Sequence, residues 1–266
     1  MEEFVVVVKG NFERNAIDVR YTPGVHIRWE PSAEKFIGDA WEEYVRSARK
    51  AGIEVYNGNV LRLDNVRSES GRLSLELSDI DFRSCIGSET TRFTAAFPHE
   101  PQGNPLTVCV ALVTTDRKIV LEERSRIDAR RRKYHVIAGF MEREFDTSDN
   151  RSDPFDALRR EVREELGLIL DNALCATGLV RAVYGSELCF CSRLPISFDD
   201  LLHIKAKSET DREIDALRAV EDSPSAVASF LSSHTSDFVP SGRACLLLYG
   251  RQAYGEDWYE VIMNSR

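Results

Sequence analysis

Apolar and polar residues alternate differently in the first hundred residues and in the rest. Phe4–Lys9 is a β-branched run and Ala16–Tyr21 alternates, so both predict strands. Between Ser32 and Ala51, Phe36, Ile37, Trp41, Tyr44 and Val45 recur near helical spacing, and Gly52 follows. That pattern predicts a helix with a glycine stop. Val60–Val66 and Leu73–Leu77 predict two further strands around a Glu69-Ser70-Gly71 turn. Asp81–Phe97 is polar and mixed, and Pro98–Pro105 is rich in breakers. A boundary is expected at about residue 103, with an α+β extension or small domain at 1–103 and a second unit at 104–266.

In that second unit strands are expected at Thr107–Thr114, Lys118–Glu123, Tyr134–Ala138, Leu174–Tyr184, Glu187–Leu194 and Ile214–Val220. Helices are expected at Pro154–Leu166, Ser197–Ile204, Ser225–Leu231 and Gly242–Tyr254, and Arg124–Lys133 is a basic loop. Strands and helices in this order predict an α/β fold, a sheet flanked by helices.

Composition narrows the function classes. The 266 residues carry 35 Lys and Arg against 44 Asp and Glu, a formal net charge of −9. A broad phosphate-gripping surface needs the opposite balance, so nucleic acid is not an expected partner. One small anion needs only a local pocket. No apolar run approaches the roughly 18 residues of a spanning helix, so no membrane partner is expected. The start, MEEFVVVVKG, lacks the basic n-region of a secretory signal. The six cysteines form no CxxC, which reads as reduced, mostly buried thiols in a cytoplasmic protein and not as a zinc site.

The stretch Asp153–Leu168 carries the chemistry. Asp153 is placed as N-cap, Pro154 as first helical residue and Gly167 as the left-handed stop. Phe155, Leu158, Val162 and Leu166 make one apolar stripe. Glu161, Glu164 and Glu165 stand at i, i+3 and i+4, within an arc of roughly 100°. Like charges this close repel by a few tenths of a kcal/mol per pair, and a divalent cation reverses the sign. The bland reading is a solvated face with an Arg160–Glu164 ion pair.

The run Arg160-Glu161-Val162-x-Glu164-Glu165-x-Gly167-Leu168 resembles the core of the Nudix box at every position. A chance match in a chain of this length is on the order of one in ten thousand. The resemblance covers about Leu106–Tyr254 and implies a Nudix-type α/β/α sandwich with a mixed sheet. The first half of the box departs from the pattern. Counting back puts Ser152 at its glutamate and Asp146 at its glycine. The better opening is Ala138-Gly139-Phe140-Met141-Glu142, separated from the helix by an insertion centred on 146–152. Glu142, Glu144 and Asp146 are the weak candidates for the first box glutamate.

An interrupted box also resembles a branch of that superfamily that hydrolyses UDP-glucose and UDP-galactose. Leu75–Thr91, Arg124-Ser125-Arg126, Ser208-Glu209-Thr210 and Ser241–Tyr249 resemble its segments in the same order. The resemblance implies hydrolysis of a UDP-sugar to UMP and a sugar 1-phosphate, dependent on Mg²⁺ with Mn²⁺ as substitute. It places the metal on Gly139, through its carbonyl, and on Glu161, Glu164 and Glu165. The base is Glu161, Glu164 or a later-loop glutamate, Glu209 first, with Glu213 and Glu187 behind it. Arg124 and Arg126 would contact phosphate. Arg160 and Gly167 would support the loop, and Phe140, Tyr134 and Tyr184 are candidates for stacking on uracil. The alternatives are ADP-ribose, NADH, a coenzyme A ester or a dinucleoside polyphosphate as substrate, or a catalytically silent nucleotide sensor. A homodimer is compatible with all of these.

Overall fold

The computed structural model describes residues 4–124, 133–149, 151–170, 173–207 and 214–264. The chain begins with strands β1 (Phe4–Phe12) and β2 (Ile17–Thr22), helix α1 (Pro31–Lys50), and strands β3 (Asn59–Glu69) and β4 (Arg72–Asp81). Short helices α2 (Phe82–Ser88) and α3 (Thr91–Ala96) follow, then β5 (Leu106–Val113), β6 (Lys118–Arg124), β7 (Tyr134–His135) and β8 (Ile137–Phe140). A short α4 (Arg143–Asp146) and a small ladder of β9 (Thr147–Ser148) and β10 (Arg151–Ser152) lead into α5 (Pro154–Leu166). The remainder is β11 (Cys175–Ala182), β12 (Gly185–Arg193), α6 (Phe198–Lys207), β13 (Ile214–Glu221), α7 (Pro224–Ser233), α8 (Pro240–Tyr254) and α9 (Glu256–Asn264).

Among the described residues, the large sheet runs β1-β11-β12-β5-β6-β13, with β7 on β6 and β8 on β5. Only β12–β5 is parallel in it, so the sheet is mixed. Strand β5, Leu-Thr-Val-Cys-Val-Ala-Leu-Val, is buried almost throughout, as a strand covered on both faces must be. Val108, Val110 and Leu112 join one core with Phe155, Leu158, Val162 and Leu166 of α5. Cys109, Ala111 and Val113 join a second with Ala244–Tyr249 of α8. Two helical layers on one mixed sheet make the expected α/β sandwich.

Strands β2, β4 and β3 form a separate three-stranded sheet. Two sets of contacts cross the boundary expected at residue 103. Strand β1, inside the first hundred residues, pairs antiparallel with β11 and is an edge of the large sheet. Leu61, Leu63, Leu73, Leu75 and Leu77 of the small sheet also share one apolar core with α5 and β5. Each fully buried leucine contributes roughly 1.5–3 kcal/mol, so the two sheets are held as one body.

Most expected elements are present within two or three residues. Glu256–Asn264, where no element is expected, forms α9, and Asp81–Phe97 holds two helices. Each is short and has a side-chain cap: Asp81 accepts from the Ser84 N–H at 2.8 Å, and Thr90 from Phe93 at 3.0 Å. Two turns of helix give too little periodicity to read. The expected strand Tyr134–Ala138 is broken at Val136, where the chain passes from pairing with β6 to pairing with β5. Strands β5 and β6 pair only at Leu112–Val120 and Val113–Ile119, and β7 and β8 fill the space where they diverge. No helix among the described residues is long and apolar enough to cross a membrane.

Candidate functional site

Helix α5 forms as its sequence dictates. Asp153 Oδ1 accepts the Phe155 N–H at 2.8 Å, and Pro154 occupies the first turn. Gly167 ends the helix at φ 70°, its N–H bonded to the Arg163 carbonyl at 2.9 Å. The apolar stripe is fully packed, which fixes where the flanking carboxylates point. Glu161 and Glu165 are buried at 8% and 4% exposure, while the Glu164 side chain is half exposed.

Glu161 lies directly against Gly139 on β8. A Cβ on Gly139 would sit 1.9 Å from Cδ of Glu161 and 2.2 Å from each of its oxygens. Gly139 is absent from the residues with positive φ, so glycine is needed here for space and not for conformation. Strand β8 and helix α5 therefore meet at Gly139 and Glu161, despite the long loop between them.

Arg160 is the hub beside it. Its Nε and Nη2 donate to both carboxylate oxygens of Asp146 at 3.0 and 2.8 Å, and Nη2 also donates to the Phe140 carbonyl at 2.9 Å. Its Nη1 lies 2.8 Å from Glu161 Oε1 and 3.0 Å from Glu164 Oε2, and Glu142 is at 3.8 Å. Of the three weak candidates for the first acid, Asp146 is thus the one that takes the arginine. Glu144 instead accepts from Asn59 of β3 at 2.7 Å, and Glu142 stands at the rim. Asp146 Oδ2 also accepts the Glu142 N–H at 2.7 Å, which closes the loop on itself.

The small sheet braces this loop from the other side. The Leu61 N–H donates to the Met141 carbonyl at 2.8 Å, and Val60 bridges to Glu142. Phe140, a stacking candidate, packs edge-on against Phe82 of α2 at 5.6 Å and belongs to this joint. Tyr134 packs among Phe230, Phe238 and His234 near α7 and α8. Tyr184 is 47% exposed in the β11–β12 turn.

Burial pushes the Glu161 carboxyl up to about 7, against the pull of Arg160 and with the help of nearby Glu164. Burial also raises Glu142. For Arg160 burial works the other way, and the bonds to Asp146 with the charges of Glu161 and Glu164 overcome it, so the guanidinium holds its proton more tightly than usual.

No protein-family model matches the chain, and no curated protein does. Solved structures do resemble it. The Nudix domain of Shewanella oneidensis NrtR, complexed with ADP ribose, is 13% identical and aligns over 61% of this chain and 98% of its own, with a TM-score of 0.41. A Nudix hydrolase from Nitrosomonas europaea is 18% identical over 57% of this chain and 93% of its own, at 0.38. A bifunctional NMN adenylyltransferase/ADP ribose pyrophosphatase from Francisella tularensis, complexed with AMP and a Mn ion, is 13% identical over 61% and 45%, at 0.39. What the site can do is read from its own geometry.

As donors for a divalent metal, Glu161, Glu164, Glu165 and the Gly139 carbonyl are all hard oxygens. Glu161 and Gly139 touch. The oxygens of the three glutamates are not gathered within 4.8 Å of one another among the described residues, and the Arg160 guanidinium stands between Glu161 and Glu164. The group that does converge is Cys109, Cys189 and Cys245, which sequence spacing could not show. These thiols are fully buried in the α8 core, and burial drives Cys109 and Cys189 well above the usual thiol range, as for small apolar side chains.

Some expected residues are elsewhere. Arg124 ends β6 opposite Ile214, but its side chain lies outside the described residues, as do Arg126, Glu209 and Glu213. Glu187 is buried on the α8 face of β12, with His135 Nε2 at 3.8 Å, so it is on the opposite face of the sheet from α5. That placement removes it as a partner of the α5 carboxylates.

Proposed function

We propose that this protein is a Nudix-type hydrolase that uses Mg²⁺, or Mn²⁺ in its place, to split a nucleoside diphosphate-linked substrate. The observation that carries the reading is the contact of Glu161 with Gly139, held by Arg160 between α5 and the Asp146 loop. The donor types fit a hard divalent cation. When bound, such an ion neutralises diphosphate charge and acidifies water. Glu161, Glu164, Glu165 and the Gly139 carbonyl would hold it, while Arg160 fixes the position of Glu161. A carboxylate not spent on metal, Glu161 or Glu164 or Glu209 of the later loop, accepts the proton of the attacking water. Arg124 and Arg126, at the start of the basic loop, are suited to the substrate phosphates.

Within that class we favour a UDP-sugar, cleaved to UMP and a sugar 1-phosphate, on the order of segments along the chain. ADP-ribose, NADH, coenzyme A esters and dinucleoside polyphosphates are the rivals. The net charge of −9 supports a small substrate in place of nucleic acid. The protein would act in the cytoplasm, and its reading does not require a homodimer.

Purified protein with UDP-glucose or UDP-galactose and Mg²⁺ should release UMP. Turnover of ADP-ribose or NADH in the same panel, with neither UDP-sugar cleaved, overturns the substrate. Glu165→Gln should lower kcat by orders of magnitude with the fold intact, and full activity in that variant overturns the metal site. A silent nucleotide sensor is the second reading, favoured by the position of Arg160 between Glu161 and Glu164. Mn²⁺ binding by calorimetry without turnover of any substrate would establish it.

A further inference from the structure

Exposed aromatic rings are few in this protein, and two of them adjoin the carboxylate site. Among the large apolar side chains that stand out from the described surface, the aromatic ones are Tyr56 at 72% exposure, Phe145 at 67% and Tyr184 at 47%. Phe145 lies in α4 with the Arg160 guanidinium 5.6 Å over its ring, so one face is already used. Tyr56 comes from the small-sheet part of the chain, in the loop between α1 and β3.

That loop is pinned immediately after Tyr56. The next residue, Asn57, donates to Asp81 at 3.0 Å and accepts the Arg83 N–H at 2.7 Å. The Gly58 carbonyl accepts from Phe82 at 2.9 Å, and Asn59 donates to Glu144 at 2.7 Å. One residue further, Val60 bridges Glu142, whose carboxylate is 3.8 Å from Arg160. The ring itself lies on the backbone of Gly58, where a Cβ would meet Cε2 at 2.9 Å. The charge of Glu142, then burial, raises its hydroxyl above the usual tyrosine range, with Arg160 opposing and Glu144 and Glu161 adding to it. The backbone holds the ring in place, yet nearly three quarters of its surface is left to water. A core aromatic would be covered, so Tyr56 is not there for packing.

We propose that Tyr56 is the base-stacking residue of the site: the nucleobase of the substrate lies on its exposed face while the diphosphate reaches the α5 carboxylates. The inference rests on the reading of those carboxylates as a metal–diphosphate site. It gives the N-terminal part a substrate-contacting role that the box segment alone does not supply. A π-face is common to every base, so Tyr56 supplies affinity for a nucleotide without choosing which one.

The test compares wild type, Tyr56→Ala, Tyr56→Phe and Tyr56→Trp. UMP and, separately, inorganic pyrophosphate are titrated by calorimetry in Mg²⁺, and KM and kcat are measured on whichever substrate the wild type cleaves. Tyr56→Ala should weaken UMP binding and raise KM about tenfold, the size of one lost base–aromatic stack, with kcat within about twofold. Tyr56→Phe and Tyr56→Trp should stay near wild type, and pyrophosphate binding should be the same in all. Unchanged UMP binding in Tyr56→Ala overturns the proposal, as does equal loss of UMP and pyrophosphate, which would mean general positioning. If the wild type cleaves nothing, the hydrolase reading fails while the UMP titration still decides the role of Tyr56.

Discussion

The tightest contact in the site is also the most direct to perturb. Adding one methyl group at Gly139 puts it 1.9 Å from Cδ of Glu161, where ordinary carbon contacts are about 3.5–4.0 Å. The carboxyl group must therefore retreat by about 1.5–2 Å. It cannot do so at no cost, because it is 8% exposed and lies 2.8 Å from Arg160. Overpacking of this kind costs about 1–3 kcal/mol, so Gly139→Ala should lower stability by about 2 kcal/mol. The same substitution in a Glu161→Ala background meets no carboxylate. Since Gly139 does not use a positive φ, alanine there should be neutral or stabilising by about 0.5 kcal/mol through the unfolded chain. Urea unfolding of the four proteins in EDTA gives a double-mutant cycle with an expected coupling of about 2 kcal/mol. Additive effects, with Gly139→Ala equally costly in both backgrounds, would refute the contact and with it the placement of Glu161 under β8.

Three further outcomes follow from the same neighbourhood. Glu161 is raised from its ordinary 4.5 to about 7, so the fold disfavours its charged form; relative to Glu161→Gln, the metal-free wild type should lose about 3 kcal/mol as pH rises from 4.5 through 7, and parallel stability–pH curves would contradict this. Asp146→Ala strips the buried Arg160 of its bidentate partner and should cost about 3 kcal/mol in urea unfolding, whereas a loss under about 1 kcal/mol would show that Glu161 and Glu164 suffice. Gly167→Ala forces a side chain into the left-handed region at φ 70° and should lower stability by about 1 kcal/mol, a change that thermal or urea unfolding will register; no change would mean that the helix end relaxes.

Helix α5 was legible because all its determinants are local. A cap, a proline, a stripe at i, i+3, i+7 and i+11 and a glycine stop lie within fifteen residues, and each is a statement about backbone hydrogen bonds that needs no tertiary context. Strand β5 was legible for a related reason, since eight nearly continuous apolar residues leave little choice but a doubly covered strand. Strand β1 was legible as a strand, but its sheet was not. Its sequence states that it is a strand, yet whether its partner is β11 or a strand of the small sheet depends on contacts some 170 residues away. Helices α2 and α3 were missed because two turns carry almost no period.

The site divides along the same line. Glu161, Glu164 and Glu165 could be placed on one helix side from their spacing, but spacing could not tell that two are buried and one half exposed, because that depends on what β8 and the small sheet bring up to α5. The insertion made counting back from Arg160 useless, and the resolution came from charge. A buried guanidinium must find an acceptor, and Asp146, close in sequence to Glu142 and Glu144, is the one that reaches two of its three nitrogens. Glu144 is held off by Asn59, which is a residue of β3. The choice among the three acids was therefore made by a strand from the other end of the chain. The same strand fixes Met141 through Leu61, and its leading loop carries Tyr56. The loop between β8 and α5 is held by β3 in place of local sequence, so the N-terminal hundred residues brace the candidate site.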